Sequence, residues 1–413
     1  MQSSIKLRLT VMNFLQFAVW GAYLTSMGRY LGTAGFGSEI GNFYAMQGLV
    51  SLFMPALMGI VADRWIPAQR LLGVCHMLAG MLMLGVFLYT QTDAPSYPSL
   101  FALYSLSVAF YMPTLALSNS VAYTSLDQAG LDLVKSFPPI RVFGTVGFIC
   151  TMIAVSLLGL EATSGQFAVS AIISLVLAVY AQTLPNCPTA PKGQSKSLVE
   201  ALGLRAFVLF KQRKMALFFI FSMLLGVSLQ ITNGFANPFI STFGEIPAYA
   251  DTFGVKYANI LISLSQLSET LCILLIPFAL RRFGIRRVML IAMVAWVLRF
   301  ALLGLGNPGS GVWLFLLSMI VYGVAFDFFN VSGSLFVDKE TDPSIRSSAQ
   351  GLFMIMTNGI GATLGSLGAQ AVINRFVYSQ SEATAILSGW TTSWYVFAAY
   401  AAVVAVLFAL LFR

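Results

Sequence analysis

Twelve runs of about twenty apolar residues succeed one another along the chain, and this spacing leaves few folds open. They cover roughly 9–31, 40–62, 71–91, 98–123, 139–160, 166–184, 215–237, 256–280, 287–305, 311–336, 348–373 and 391–412. A helix crossing the hydrocarbon core of a bilayer needs about 20 such residues. The alternating strands of about ten residues that mark an outer-membrane barrel are absent. The remaining composition agrees: 58% of residues are hydrophobic and only 9% are charged, against about 25% charged in a soluble domain. That excludes soluble enzymes, nucleic-acid binders and secreted disulfide scaffolds together. The expected fold is an all-α integral membrane protein with twelve transmembrane helices in two six-helix bundles. The first run is too long for a signal peptide's apolar core of about 7–15 residues and has no small-residue cleavage site, so it is read as a helix.

The net charge of +8 is a topology signal, since the cations sit in short loops between apolar runs. With the N-terminus inside, eighteen Lys and Arg fall on the cytoplasmic side and three, Arg29, Lys256 and Arg375, on the outer side. Both termini are therefore expected in the cytoplasm. The longest polar stretch divides the spans six and six. This gives an N-terminal bundle over 1–184, a linker over 185–214 and a C-terminal bundle over 215–413. Within the linker, Ser197 and Glu200 have the spacing of a capping box, and Leu198, Ala201, Leu202 and Phe207 recur at helical spacing. A short amphipathic helix on the inner membrane surface is expected there. The halves echo one another: Tyr111 and Asn119 in the fourth span match Tyr322 and Asn330 in the tenth. Internal repetition of this kind is a mark of transporters.

Ionisable groups inside spans are rare and face a cavity or a partner. Here they are Arg141, Glu269, Arg299 and Asp327. Arg141 opens the fifth span, with Thr145 and Phe148 at i+4 and i+7 on the same face. The seventh span carries Gln230, Asn233 and Asn237 at i, i+3 and i+7. In the eighth, Gln266 and Glu269 are one turn apart. In the tenth, Tyr322 and Phe326 share a face and Asp327 lies beside it. Arg299 lies near the outer end of the ninth span, where its side chain is expected to snorkel to the interface.

Amides match the donor and acceptor edge of a nucleobase, a carboxylate accepts from ribose hydroxyls, and Phe148 and Phe326 offer stacking faces. A carboxyl near a cation is also a proton-coupling device, because desolvation and the cation act on its proton affinity in opposite senses. Sugars suit the same residue types, so the residues alone leave open a proton-coupled sugar or other polar solute transporter, or a nutrient sensor that binds without transport. No nucleophile set, phosphate loop or dinucleotide fingerprint points to an enzyme. The cysteines, Cys75, Cys150, Cys187 and Cys272, form no C-x-x-C pair. The single histidine, His76, is read as a helix-end residue, and no cofactor or metal is implied.

Two loops, Gly59-Ile60-Val61-Ala62-Asp63-Arg64 and Arg281-Arg282-Phe283-Gly284-Ile285-Arg286-Arg287, resemble the inner-loop motif of the major facilitator superfamily, the second lacking its acid. Further stretches carry a closer likeness: Pro138-Pro139-Ile140-Arg141 through Phe148, Gln230-Ile231-Thr232-Asn233, Gln266-Leu267-Ser268-Glu269 and the run Tyr322 to Gly333. In these the chain resembles the nucleoside:H+ symporter family of that superfamily. The resemblance implies two six-helix bundles with a central cavity and proton-driven nucleoside uptake (uridine, adenosine and relatives) across a bacterial inner membrane. It implies a monomer in the lipid bilayer, with no nucleic acid and no cofactor. It assigns substrate binding to Arg141, Thr145, Phe148, Gln230, Asn233, Gln266, Glu269, Tyr322, Phe326 and Asp327. Proton coupling goes to Asp327, with Glu269 and Arg141 as further participants.

Overall fold

In a bilayer every backbone N–H and C=O must be bonded within the protein, so a spanning segment is helical or part of a closed barrel. The computed structural model describes residues 2–189, 204–343 and 345–412, and the described residues form helices and turns without a strand. Each of the twelve expected spans falls on a helix. Nine helices among the described residues are long and apolar enough to cross a membrane by length and composition. The other spans are accounted for individually. Gln2–Gly21 continues through a turn into Met27–Thr33, and Gly165–Ala181 is a shorter apolar helix. Ala258–Leu305 runs for 48 residues and holds both the eighth and the ninth spans, broken at Gly284 with φ 77°. That left-handed backbone is open to glycine and strained for other residues. The expected linker helix falls largely on 190–203, outside the described residues; the part that follows, Leu204–Lys211, is a 3-10 helix.

The chain forms two compact units. One comprises Met1–Leu24 and Leu49–Leu202, the other Thr25–Gly48 and Gly203–Arg413. The units are thus not continuous stretches of chain: Thr25–Gly48, the end of the first span and the start of the second, packs within the second unit. Side-chain hydrogen bonds hold it there. Thr25 Oγ1 donates to Asn259 Oδ1 at 2.9 Å, and Gln370 Nε2 donates to the carbonyl of Gly37 at 3.0 Å.

Lipid tails are as apolar as leucine, so membrane helices associate by close packing and interhelical hydrogen bonds. In the first unit, glycine brings the fifth span, Leu133–Leu157, onto the first. A Cβ on Gly147 would lie 2.1 Å from the Phe14 carbonyl oxygen, and one on Gly21 would lie 2.4 Å from that of Phe148. In the second unit, Arg213–Thr242 meets the eleventh span in the same way, at Gly226, Gly361 and Gly365. The eleventh span widens there into a π-helix over Ile355–Gly361.

These contacts separate packing glycines from spare ones. Gly147→Ala is expected to lower the melting temperature and the yield of monodisperse protein. Gly351→Ala, where nothing lies within 4 Å of the added carbon, should match or exceed the parent. Equal melting of the two variants contradicts the packing account.

Candidate functional site

In the first unit, the helix Leu133–Leu157 places Arg141, Thr145 and Phe148 on one face, as their spacing predicts. The Arg141 guanidinium lies over the Phe17 ring of the first span, 4.0 Å from its centroid. Phe148 is buried and meets Trp20 edge-on at 6.4 Å, and Trp20 packs against Tyr111 at 6.0 Å. Phe148 therefore ends a row of aromatic rings. The Tyr111 hydroxyl ties the row to the first span by donating to the Gln16 carbonyl at 2.9 Å.

Beneath this row lies a polar cluster that the sequence reading missed. His76 is not a helix-end residue: it sits about two turns into Ala68–Tyr89 and has no exposed surface. Its Nε2 is 2.8 Å from Gln16 Oε1 and its Nδ1 is 3.0 Å from Ser174 Oγ. With an amide oxygen as acceptor, Nε2 carries the proton. Gln16 Nε2 in turn donates to Thr114 Oγ1 at 2.7 Å. The cluster thus joins the first, third, fourth and sixth spans. The available signal was polar residues at matching depth in separate apolar runs: Gln16, Thr114, and Ser170 with Ser174 one turn apart.

In the second unit, Arg213–Thr242 carries Gln230 and Asn233, and Asn233 Nδ2 donates to Gln230 Oε1 at 2.8 Å. The eighth span carries Gln266 and Glu269. The tenth, Val312–Glu340, carries Tyr322, Phe326 and Asp327. The rings of Tyr322 and Phe326 lie parallel, 5.7 Å apart with a 4° interplanar angle. Glu269 stands within electrostatic reach of both Asp327 and Tyr322. The eighth and tenth spans approach closely because position 323 is glycine: a Cβ there would lie 2.5 Å from the Ser268 carbonyl oxygen. Asp327 is 5% exposed. Two buried acceptors, Gln266 Oε1 and Asp327 Oδ2, receive no hydrogen bond from the protein. They are among several buried polar atoms in that position, and as acceptors beside the Tyr322 and Phe326 rings they are suited to donors on a solute.

Arg299 does not snorkel. It is 2% exposed, its Nη1 donates to the Ser318 carbonyl at 2.8 Å, and its guanidinium lies 4.5 Å from the Tyr322 ring centroid. Among the described residues no group of three or more His, Cys, Asp or Glu is placed to hold a metal ion.

Two helical units that carry polar stripes inside membrane spans are suited to handling a polar solute within a bilayer. A POT peptide transporter, 12% identical, shares the fold with a TM-score of 0.71 over 99% of this chain and 95% of its own. The model of the nucleoside H+ symporter family matches residues 3–413, and the chain belongs to that family. Its activity is proton-coupled nucleoside symport, and it is a multi-pass membrane protein. The xanthosine permease of Escherichia coli (strain K12) is 50% identical over 408 residues, 98% of this chain and 95% of that protein. The crystal structure of the nucleoside transporter NupG is 46% identical, with a TM-score of 0.90 over 99% of each chain.

The histidine cluster is directly testable. His76→Phe strands the Gln16 amide oxygen in a dry interior, at about 1–3 kcal/mol, while Ser174 keeps its bond to the residue-76 carbonyl at 2.9 Å. The variant should melt several degrees below the parent, and His76→Gln, which keeps a polar partner, should recover part of the loss. Parental melting of His76→Phe contradicts this reading.

Proposed function

We propose that this protein takes up nucleosides across a bacterial inner membrane as a monomer, with both termini in the cytoplasm. In this reading Arg141, Thr145 and Phe148 of one unit, and Gln230, Asn233, Gln266, Glu269, Tyr322, Phe326 and Asp327 of the other, handle the nucleoside during the cycle. The observation that carries the reading is the pair of unbonded acceptors, Gln266 Oε1 and Asp327 Oδ2, in the unit that presents the parallel rings of Tyr322 and Phe326. Acceptors match ribose hydroxyls and the N–H groups of a base, and parallel rings match a base face. Uridine, adenosine and xanthosine are the proposed substrates. The likeness to a xanthosine permease supports including the last.

Proton coupling is assigned to Asp327, with Glu269 as the second acid and Arg141 as a further participant. A neutral carboxyl is far cheaper to enclose in a dry site than a carboxylate. Protonation from the outside therefore permits closure, and loss of the proton inside resets the carrier. One proton moving inward gains about 2.3 kcal/mol per 100 mV of membrane potential. An uncharged nucleoside is then concentrated about fortyfold per 100 mV, since each 1.4 kcal/mol is a factor of about ten.

Removing one buried hydrogen-bond partner costs about 1–3 kcal/mol, so Gln266→Ala and Glu269→Ala are expected to weaken uridine binding about tenfold or more. Parental affinity in both variants sinks the assignment, and free ribose competing as well as uridine returns the substrate to the sugars.

Asp327→Asn mimics the protonated acid. In vesicles it is expected to exchange labelled uridine, adenosine or xanthosine but to lose accumulation driven by a proton gradient. Full gradient-driven accumulation by Asp327→Asn moves coupling elsewhere.

A further inference from the structure

A buried guanidinium without a carboxylate partner is an unusual feature in a membrane helix. Arg299 forms no ion pair among the described residues, and its Nε has no partner. A charge kept in that state at 2% exposure points to a task that an apolar side chain could not perform.

Its contacts define the task. Arg299 belongs to the ninth span and reaches both helices that flank it in the second unit. Toward the tenth span, Arg299 and Ser318 bond reciprocally. Arg299 Nη1 donates to the Ser318 carbonyl at 2.8 Å, and Ser318 Oγ donates to the Arg299 carbonyl at 3.0 Å. Toward the eighth span, Nη1 donates to Ser265 Oγ at 3.4 Å. Both anchor points lie beside proposed nucleoside contacts. Ser265 adjoins Gln266 and stands one turn before Glu269; Ser318 stands one turn before Tyr322. The guanidinium also covers the Tyr322 ring at 4.5 Å, while Trp296, on Arg299's own helix, meets that ring edge-on at 5.9 Å. The opposing neighbour of Tyr322 is Phe326, parallel to it at 5.7 Å.

We propose that Arg299 is a positioning residue for the nucleoside: it fixes the register of the eighth span against the tenth and holds the Tyr322 ring, and through it Phe326, in the plane that receives the base. The proposal rests on the reading that Tyr322 and Phe326 contact the nucleoside. The task calls for arginine. A planar guanidinium can donate along its edge to two helices while its face lies on an aromatic ring. A lysine ammonium is compact and strongly hydrated, and it lacks that flat face. Arg299 itself touches no solute in this assignment.

A helix-holding role alone would lower stability without linking Arg299 to one ring, and a double-mutant cycle separates the two. Binding of uridine, adenosine and xanthosine to the purified full-length transporter is measured by calorimetry, with melting temperatures recorded in parallel. Arg299→Lys and Arg299→Met are expected to weaken binding about tenfold. The decisive expectation is non-additivity: in a Tyr322→Ala background, Arg299→Lys should add only the register share, about threefold, and not the full tenfold. Ser265→Ala is the gentler variant should both Arg299 variants fail to fold. It removes the Arg299 contact to the eighth span together with the Ser265 bond to Met319 Sδ at 3.0 Å, and it should weaken binding about threefold.

Full, additive losses in the double variant overturn the proposal, as does parental binding by Arg299→Lys and Arg299→Met, or by Ser265→Ala if those two do not fold. Parental binding by Tyr322→Ala is a different failure: it removes the base platform itself, and the proposal with it. A loss in Tyr322→Ala beside parental binding in the Arg299 variants overturns the positioning role alone.

Discussion

A polar group inside a membrane-spanning helix has no water to fall back on, and the structure is organised by that constraint. It forces the backbone into helices, and it also decides where side chains go. His76 and Arg299 lie within spans yet have almost no exposed surface. Each is held by hydroxyls, amides or carbonyls of neighbouring helices and by an aromatic ring. Each therefore ties its neighbours into one rigid group.

The two units solve this problem in parallel ways. In the first, His76 of the third span meets Tyr111 of the fourth at 5.9 Å. In the second, Arg299 of the ninth meets Tyr322 of the tenth. Serines complete both arrangements, Ser174 in one and Ser265 and Ser318 in the other. Each tyrosine then leads to a proposed base-facing phenylalanine: Tyr111 through Trp20 to Phe148, and Tyr322 directly to Phe326. A nitrogen base gripping a tyrosine that supports an aromatic row is the shared device. The halves differ in the group at this position, imidazole in one and guanidinium in the other, and the acids Glu269 and Asp327 stand on the side of the guanidinium.

Much of this was legible from periodicity. Spans of about twenty apolar residues mark themselves, and spacings of three, four and seven placed Arg141 with Phe148 and Gln266 with Glu269 on common faces. What periodicity could not show was depth. Arg299 looked free to snorkel because distance along the chain does not reveal that Ser265 and Ser318 wait on the adjoining helices. His76 looked terminal because the third span begins at Ala68, ahead of its first strongly apolar stretch. The packing of Thr25–Gly48 in the second unit was equally invisible, since it rests on contacts such as Gln370 to Gly37 across more than 300 positions. Side chains that bridge helices are specified by tertiary geometry, and a single helix's pattern carries only half of each bridge.

The central claim is that nucleoside handling and proton handling meet in the second unit, at Asp327. Infrared difference spectroscopy of the full-length transporter, recorded on addition of uridine, adenosine or xanthosine, reads this directly through the carbonyl stretch of a protonated carboxyl. The account predicts a nucleoside-induced change in that band, lost in Asp327→Asn. A band unchanged by any of these nucleosides, or the same change persisting in Asp327→Asn, would contradict it.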